Sequence, residues 1–288
     1  MKRLVTLLCL AALLLPMASC NKSNEQKVKE PVIPPAYSQY AKKYNVQNNP
    51  EGIVGLELTE AGRYLITRKV EVKSSPSEEY EFINGSYTVQ DNTYTLNGYG
   101  TAVIDGNTIT ITPAGKSPIT VTVTAVTPME STDYTVSLCS TWKVDKVDMN
   151  ISGGEIQQGA AAVTVNGCNL YQIVNQLNEN YGINADAEAV KGMEVKCVTI
   201  TRAQTLIIEF TDDSIQPFVA DFELNGSTFE YEIVGQQLGN DIFNSQAKGK
   251  AEPKSDGTLW LEISANVNSE SKEYKGAVTL ILSQYKGA

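Results

Sequence analysis

An all-β, mainly antiparallel fold is predicted by three features of this 288-residue chain. Apolar and polar residues alternate with period two over most of the sequence after Glu51. Six Asn-Gly or Asp-Gly dipeptides punctuate those runs, and a single segment has helical spacing. A composition of 42% hydrophobic and 19% charged residues suits a packed globular chain rather than a disordered or fibrous one.

The first residues read as an address. Met1-Lys2-Arg3 is basic, and Leu4 to Leu15 is an apolar run of 12 residues interrupted only by Thr6. That is too short for a bilayer, which needs about 20 residues, and suits a signal peptide. Pro16-Met17-Ala18-Ser19-Cys20 follows, with small residues before a cysteine. This resembles the lipobox of bacterial lipoproteins, although Met17 stands where that family usually has leucine. The resemblance implies cleavage before Cys20 and acylation of its thiol, with several acyl chains giving stable anchoring. Residues 1–19 are then a lipoprotein signal peptide, and the expected location is the cell envelope, at the outer membrane, with the face left open. Residues 20–50 read as lipid anchor and tether, polar and carrying Pro31, Pro34 and Pro35, with a helical turn or two conceivable over Tyr37 to Tyr44.

Two β units are expected beyond the tether, over 51–130 and 131–288. In the first, Tyr64, Ile66 and Val70 alternate with Arg63, Thr67 and Lys69, and Ile119, Val121 and Val123 alternate with threonines. In the second, Phe218, Ala220, Phe222 and Leu224 alternate with Asp221 and Glu223, and Phe229, Tyr231 and Ile233 with Glu230 and Glu232. One apolar and one polar face mark half-buried antiparallel strands. Asn-Gly at Asn84, Asn97, Asn166 and Asn225 and Asp-Gly at Asp105 and Asp256 accept positive φ cheaply, and five of these six sit between alternating runs as hairpin turns. The boundary falls near Pro128 to Asp133. The one amphipathic helix is expected around 169–181, where Leu170, Ile173, Val174, Leu177 and Tyr181 share a face, with Asn166 or Asn169 to cap it and Gly182 to stop it.

Cys139-Ser140-Thr141-Trp142-Lys143-Val144-Asp145 resembles the Gly-x-Trp opening strand of lipocalin-like domains, with Ser140 in place of the glycine. Strands near 141–149, 194–201, 205–211, 217–224, 227–234, 245–252, 258–265 and 274–284 number eight, enough to close a small up-and-down barrel. In the first unit, Gly85-Ser86-Tyr87-Thr88-Val89 through Asn92 to Leu96 is similar to a hairpin of secreted bacterial lipocalin-like lipoproteins. The chain is thus identified as resembling that largely uncharacterised family. The resemblance implies a β-barrel meander and leaves the ligand open.

Composition excludes more chemistry than it assigns. With no histidine there is no Ser-His-Asp or Cys-His nucleophile and no imidazole metal site. The formal charge of −10 repels phosphate backbones and argues against nucleic acid. No metal site or cofactor is expected, since no calcium-loop, Walker or dinucleotide motif is present. Ser-x-x-Lys occurs at Ser140, Ser19 and Ser269 without its companion motifs, so it carries no catalytic meaning. Cys139, Cys168 and Cys197 allow at most one disulfide among them.

Glu209, Asp221, Glu223, Glu230 and Glu232 gather on the polar faces of three consecutive strands. Residues i and i+2 lie roughly 7 Å apart on a strand, within the range of paired glycosidase carboxylates. The plainer expectation is a solvated outer face. Trp260 shares the polar side of its strand with Glu262 and is either covered by the helix or free to stack on a ligand such as a sugar. The leading expectation is a non-enzymatic module that binds a small apolar molecule or a glycan at the cell envelope, with Trp260, Glu230 and Glu232 as candidate contacts and Cys20 as the lipid attachment. The alternatives are a scaffold subunit that contacts an envelope partner protein, and a carbohydrate-acting enzyme using paired carboxylates.

Overall fold

A computed structural model describes residues 36–47, 50–70, 79–153, 161–182, 185–225, 228–236, 248–269 and 272–285. The leader, Cys20 and most of the expected tether lie outside them. The first unit contains β1 (Lys42–Val46), β2 (Ile53–Leu58), β3 (Arg63–Val70), β4 (Glu79–Gln90), β5 (Thr93–Leu96), β6 (Gly100–Asp105), β7 (Thr108–Pro113) and β8 (Ile119–Ala125). Each pairs antiparallel with the next, and β1 pairs with β8, so the eight close into a barrel. β1 falls inside the 20–50 stretch read as tether, which corrects that boundary. Its reason is local: Tyr44 enters the core and Val46 packs partly against it while Lys42 and Asn45 face out, so five residues contribute only two apolar signals.

The second unit contains β9 (Thr141–Gly153), β10 (Ala161–Asn166), β11 (Val195–Ile200), β12 (Thr205–Phe210), β13 (Phe218–Asn225), β14 (Glu230–Gln236), β15 (Lys248–Pro253), β16 (Leu259–Ser269) and β17 (Lys272–Gln284). β9 is the seam. It pairs with β17 along one edge, while its other edge meets β11 at Thr141 and Trp142 and β10 over 146–151. Eight strands thereby form a second closed barrel, and β10 is a ninth strand that the eight predicted ones did not include.

Helix α1 (Asp133–Leu138) was not predicted; Thr132 caps it in a reciprocal capping box with Thr135. Trp142 is buried, and its indole N–H donates to the Leu138 carbonyl at 3.0 Å, which ties the last turn of α1 to β9. Helix α2 (Leu170–Tyr181) lies where helical spacing placed it, with the Asn169 side chain accepting from the Gln172 amide and Gly182 closing it at φ 64°. Its stripe of Leu170, Ile173, Val174 and Leu177 packs with Val163 and Val165 of β10.

One turn assignment and one strand assignment are corrected. Asn84-Gly85 lies inside β4, which is paired to β3 through Ser86 and to β5 from Tyr87. Glycine is needed there because a Cβ would stand 2.8 Å from the Tyr64 ring and 2.9 Å from the Asn97 carbonyl oxygen. The β4–β5 turn uses Asp91 at φ 54° instead. Phe229 precedes β14 and does not belong to its inward face; it is 39% exposed and stacks with Tyr134 at 4.6 Å.

The barrels press together through their outer surfaces. Leu65 and Phe82 of the first and Ile207 and Val219 of the second form a separate buried cluster. All six residues of β12 are buried, because Leu206, Ile208 and Phe210 face the barrel core while Thr205, Ile207 and Glu209 face the other barrel.

Candidate functional site

Polar groups surround that apolar contact. Arg63 of β3 forms an ion pair with Glu209 of β12, whose carboxylate also accepts from the Asn84 amide at 2.5 Å and the Cys197 thiol at 3.2 Å. Lys43 of β1 donates to Asp221 at 2.6 Å and to Thr205 at 2.8 Å. The Phe82 amide donates to Gln216 at 2.8 Å. Two of the five carboxylates expected on a solvated face therefore hold the barrels together. Polarity marks which strand face avoids a core; it does not show whether another domain covers that face.

At one end of the contact two tight hairpin turns meet. The end of β2 brings Glu57, and the β2–β3 turn Glu60, to the β11–β12 turn, which carries Thr201 and Arg202. The Glu57 carboxyl accepts from the Thr201 hydroxyl at 2.6 Å. The Glu60 carboxyl accepts from the Arg202 backbone N–H at 3.2 Å and its Nε–H at 3.4 Å. Each uses one oxygen. The Oε2 atoms of both are buried without a hydrogen-bond partner, and the two residues are only 3% and 4% exposed.

An unpaired buried acceptor is costly, by about 1–3 kcal/mol or more for a charged group. Burial is also the main reason both carboxyls are pushed up from the usual carboxylate range. Lys43 and the Thr201 hydroxyl oppose the rise at Glu57, and hydrogen bonds from the backbone oppose it at Glu60.

Glu60 and Arg202 stand in the wall of a cavity of about 210 Å³ whose other lining residues are Ser38, Gln39, Ser131, Val136 and Cys139. Both barrels and the segments on either side of them contribute. The N-terminal turn supplies Ser38 and Gln39, the segment joining the barrels supplies Ser131, and α1 with its C-cap supplies Val136 and Cys139. Gln39 and Ser131 are exposed and mark the mouth. Met129 donates its amide to the Arg202 carbonyl at 2.7 Å, so the joining segment is fastened at the rim. Burial holds the Cys139 thiol well above its usual range, and it stays protonated. A smaller space of about 50 Å³ lies farther along the contact beside Glu57, Lys43 and Thr205.

One space opens among the described core residues of the second barrel. The space among Leu138, Phe222, Tyr231 and Leu261 is only about 10 Å³, barely the room of one water. Tyr231 is buried there with its hydroxyl bonded to the Glu262 carbonyl at 2.9 Å.

The other sequence-predicted residues stand apart from the cavity. Glu230 and Glu232 lie opposite Lys250 and Lys248 in the β14–β15 register, and Glu223 opposite Glu232. Trp260 is 39% exposed, and the Lys254 ammonium sits 4.7 Å from its ring centre, so a lysine, rather than α2, meets one face. Cys139, Cys168 and Cys197 are buried free thiols. Among the described residues no group of three or more Cys, Asp and Glu is placed to hold a metal ion.

No family model matches the chain, and no curated protein does. A solved structure it is similar to is a protein of unknown function of the DUF3598 family from Nostoc punctiforme, at 8% identity and a TM-score of 0.21, over 85% of this chain and 94% of that one. Likeness at that level carries no argument. The β-barrel assignment rests on the strand pairings themselves.

Glu57, Glu60 and Arg202 were missed by sequence reasoning. Leu56-Glu57-Leu58 reads as an ordinary alternation with its glutamate in solvent, and Glu60 and Arg202 sit in turn segments where charge is unremarkable. No local pattern marks two turns that meet across a domain contact.

Proposed function

We propose that the chain is an exported bacterial lipocalin-like lipoprotein, anchored through acylated Cys20 to the cell envelope, that binds a small polar ligand of glycan type without transforming it. The ligand occupies the space between the barrels rather than a barrel lumen. The observation that carries this reading is the contrast between a cavity of about 210 Å³ at the barrel contact and about 10 Å³ among Leu138, Phe222, Tyr231 and Leu261 in the core of the second barrel. The cavity is smaller than drug-sized sites of about 300–1,000 Å³, so it suits one sugar ring rather than an extended chain or an acyl tail. Its serine, glutamine, glutamate and arginine groups suit the donors and acceptors of a polyol.

The test is thermal unfolding of the full chain with millimolar glucose, glucosamine, N-acetylglucosamine, glucuronate or palmitate. At least one sugar is expected to raise Tm saturably while palmitate does not, and Val136→Trp, which fills the cavity from α1, is expected to abolish the response. A response to palmitate alone, or one that survives Val136→Trp, overturns the reading. For the anchor, labelled palmitate is expected on the wild-type chain and absent from Cys20→Ala; equal labelling of the two contradicts it.

A further inference from the structure

The contact between the barrels encloses more acid than it satisfies. Leu56 and Leu58 enter the core of the first barrel, so Glu57 between them points outward, and the second barrel covers it. Glu60, in the turn that follows, is covered by Arg202. One oxygen of each glutamate has its donor from the second barrel; Oε2 of each is buried with none. Both groups are therefore shut from water only while the barrels are docked.

The charges around them do not balance. Lys43 faces Glu57 from β1, but its ammonium is held by Asp221 of β13 and by Thr205. Arg202 faces Glu60 from the β11–β12 turn. Tyr87 of β4 lies near Glu60 with its hydroxyl donated to the Thr59 carbonyl, and the Cys139 thiol at the end of α1 stays neutral. Two bases thus meet three acids, Glu57, Glu60 and Asp221. The apolar cluster that holds the barrels together beside them has only four fully buried residues.

We propose that docking of the two barrels is gated by pH: a proton held on Glu57 or Glu60 keeps the contact closed, and its loss loosens it. A neutral carboxyl tolerates an enclosed site with one hydrogen bond, whereas an ionised one without a matching cation is driven toward water. Burial raises both carboxyls in the docked chain, and exposure returns them to the ordinary range. Docking is then strongest below that ordinary range and weakens with rising pH up to the raised position. Glu60 and Arg202 also wall the cavity, so the same step opens it.

The experiment is thiol alkylation of the full chain, read by peptide mass spectrometry from about pH 5 to about pH 8, above the ordinary carboxylate range and below that of thiols. Cys197 is buried at the contact, donating to Glu209, and reports separation of the barrels. Cys168 lies in the core of the second barrel and reports opening of that barrel itself. Each rate is divided by that of the same cysteine in the urea-unfolded chain at the same pH, which removes the thiol's own ionisation. One proton allows up to about tenfold per pH unit, and Cys197 is expected to react at least about tenfold faster at the upper end while Cys168 stays constant. The double variant Glu57→Gln with Glu60→Gln is expected to flatten the Cys197 profile. Should it not fold, small-angle scattering of the wild type serves instead, with the radius of gyration expected to grow over the same range. A flat wild-type Cys197 profile, a rise matched by Cys168, a rise that survives in the folded double variant, or an unchanged radius would each overturn the gate.

Discussion

Glu209→Ala is expected to uncouple the two barrels and to be among the most damaging single changes in the chain. Glu209 lies 5% exposed between them and receives Arg63, Asn84 and Cys197 together. Removing one member of such a pair strands the other, at about 3–5 kcal/mol. For a chain of this size that corresponds to a fall of roughly 6–20 °C in Tm. Scanning calorimetry of the wild type should give one transition, and the variant two, as each barrel unfolds on its own. The double variant Arg63→Met with Glu209→Leu should recover much of the loss, since apolar replacement of a buried pair is often neutral or stabilising. A single unshifted transition for Glu209→Ala would mean that the ion pair does not couple the barrels.

Gly249→Ala should be more severe still, and for a different reason. Gly249 sits in β15 opposite Ile263, and a Cβ there would be driven onto the Glu262 carbonyl oxygen, 2.7 Å from its carbon and 3.0 Å from the Ile263 Cα. These are backbone atoms, so no rotamer change relieves the overlap. β15 and β16 must part, which opens a barrel whose six β15–β16 register pairs otherwise close it. A loss above about 4 kcal/mol follows, in the range reserved for severe core damage, and near-UV circular dichroism should collapse. Gly257→Ala is the control. It has open space around its Cβ and pays only the cost of φ +84°, about 1–2 kcal/mol. Similar midpoints in urea for the two variants would contradict the account.

Much of the barrel architecture is legible in the chain, because a small barrel imposes its inside–outside alternation on every strand. β13, β16 and β8 follow that period, and the α2 stripe with Asn169 and Gly182 is as clear as a helix can be. The signal fails where the strand is short or doubly covered. β1 buries only Tyr44 fully and reads as tether. β12 is buried on both faces, so Leu206-Ile207-Ile208 breaks the alternation, and Glu209 looks solvated although another domain lies over it. β10 alternates cleanly but pairs only part of β9, so counting to eight strands left no place for it. The cavity is the least legible feature. Its residues come from five separate segments, each unremarkable alone, and only the docking of one barrel on the other brings them together.

The central claim is that ligand binds between the barrels rather than within one. Backbone amide resonances of the isotopically labelled full chain, followed through a titration with the sugar that raises Tm, test it most directly. Saturable shifts are predicted at Glu60, Ser131, Val136, Cys139 and Arg202, with Phe222, Tyr231 and Leu261 unmoved. Shifts centred on those last three residues, with the turn at Glu60 and Arg202 silent, would place the ligand in the lumen of the second barrel and contradict the account.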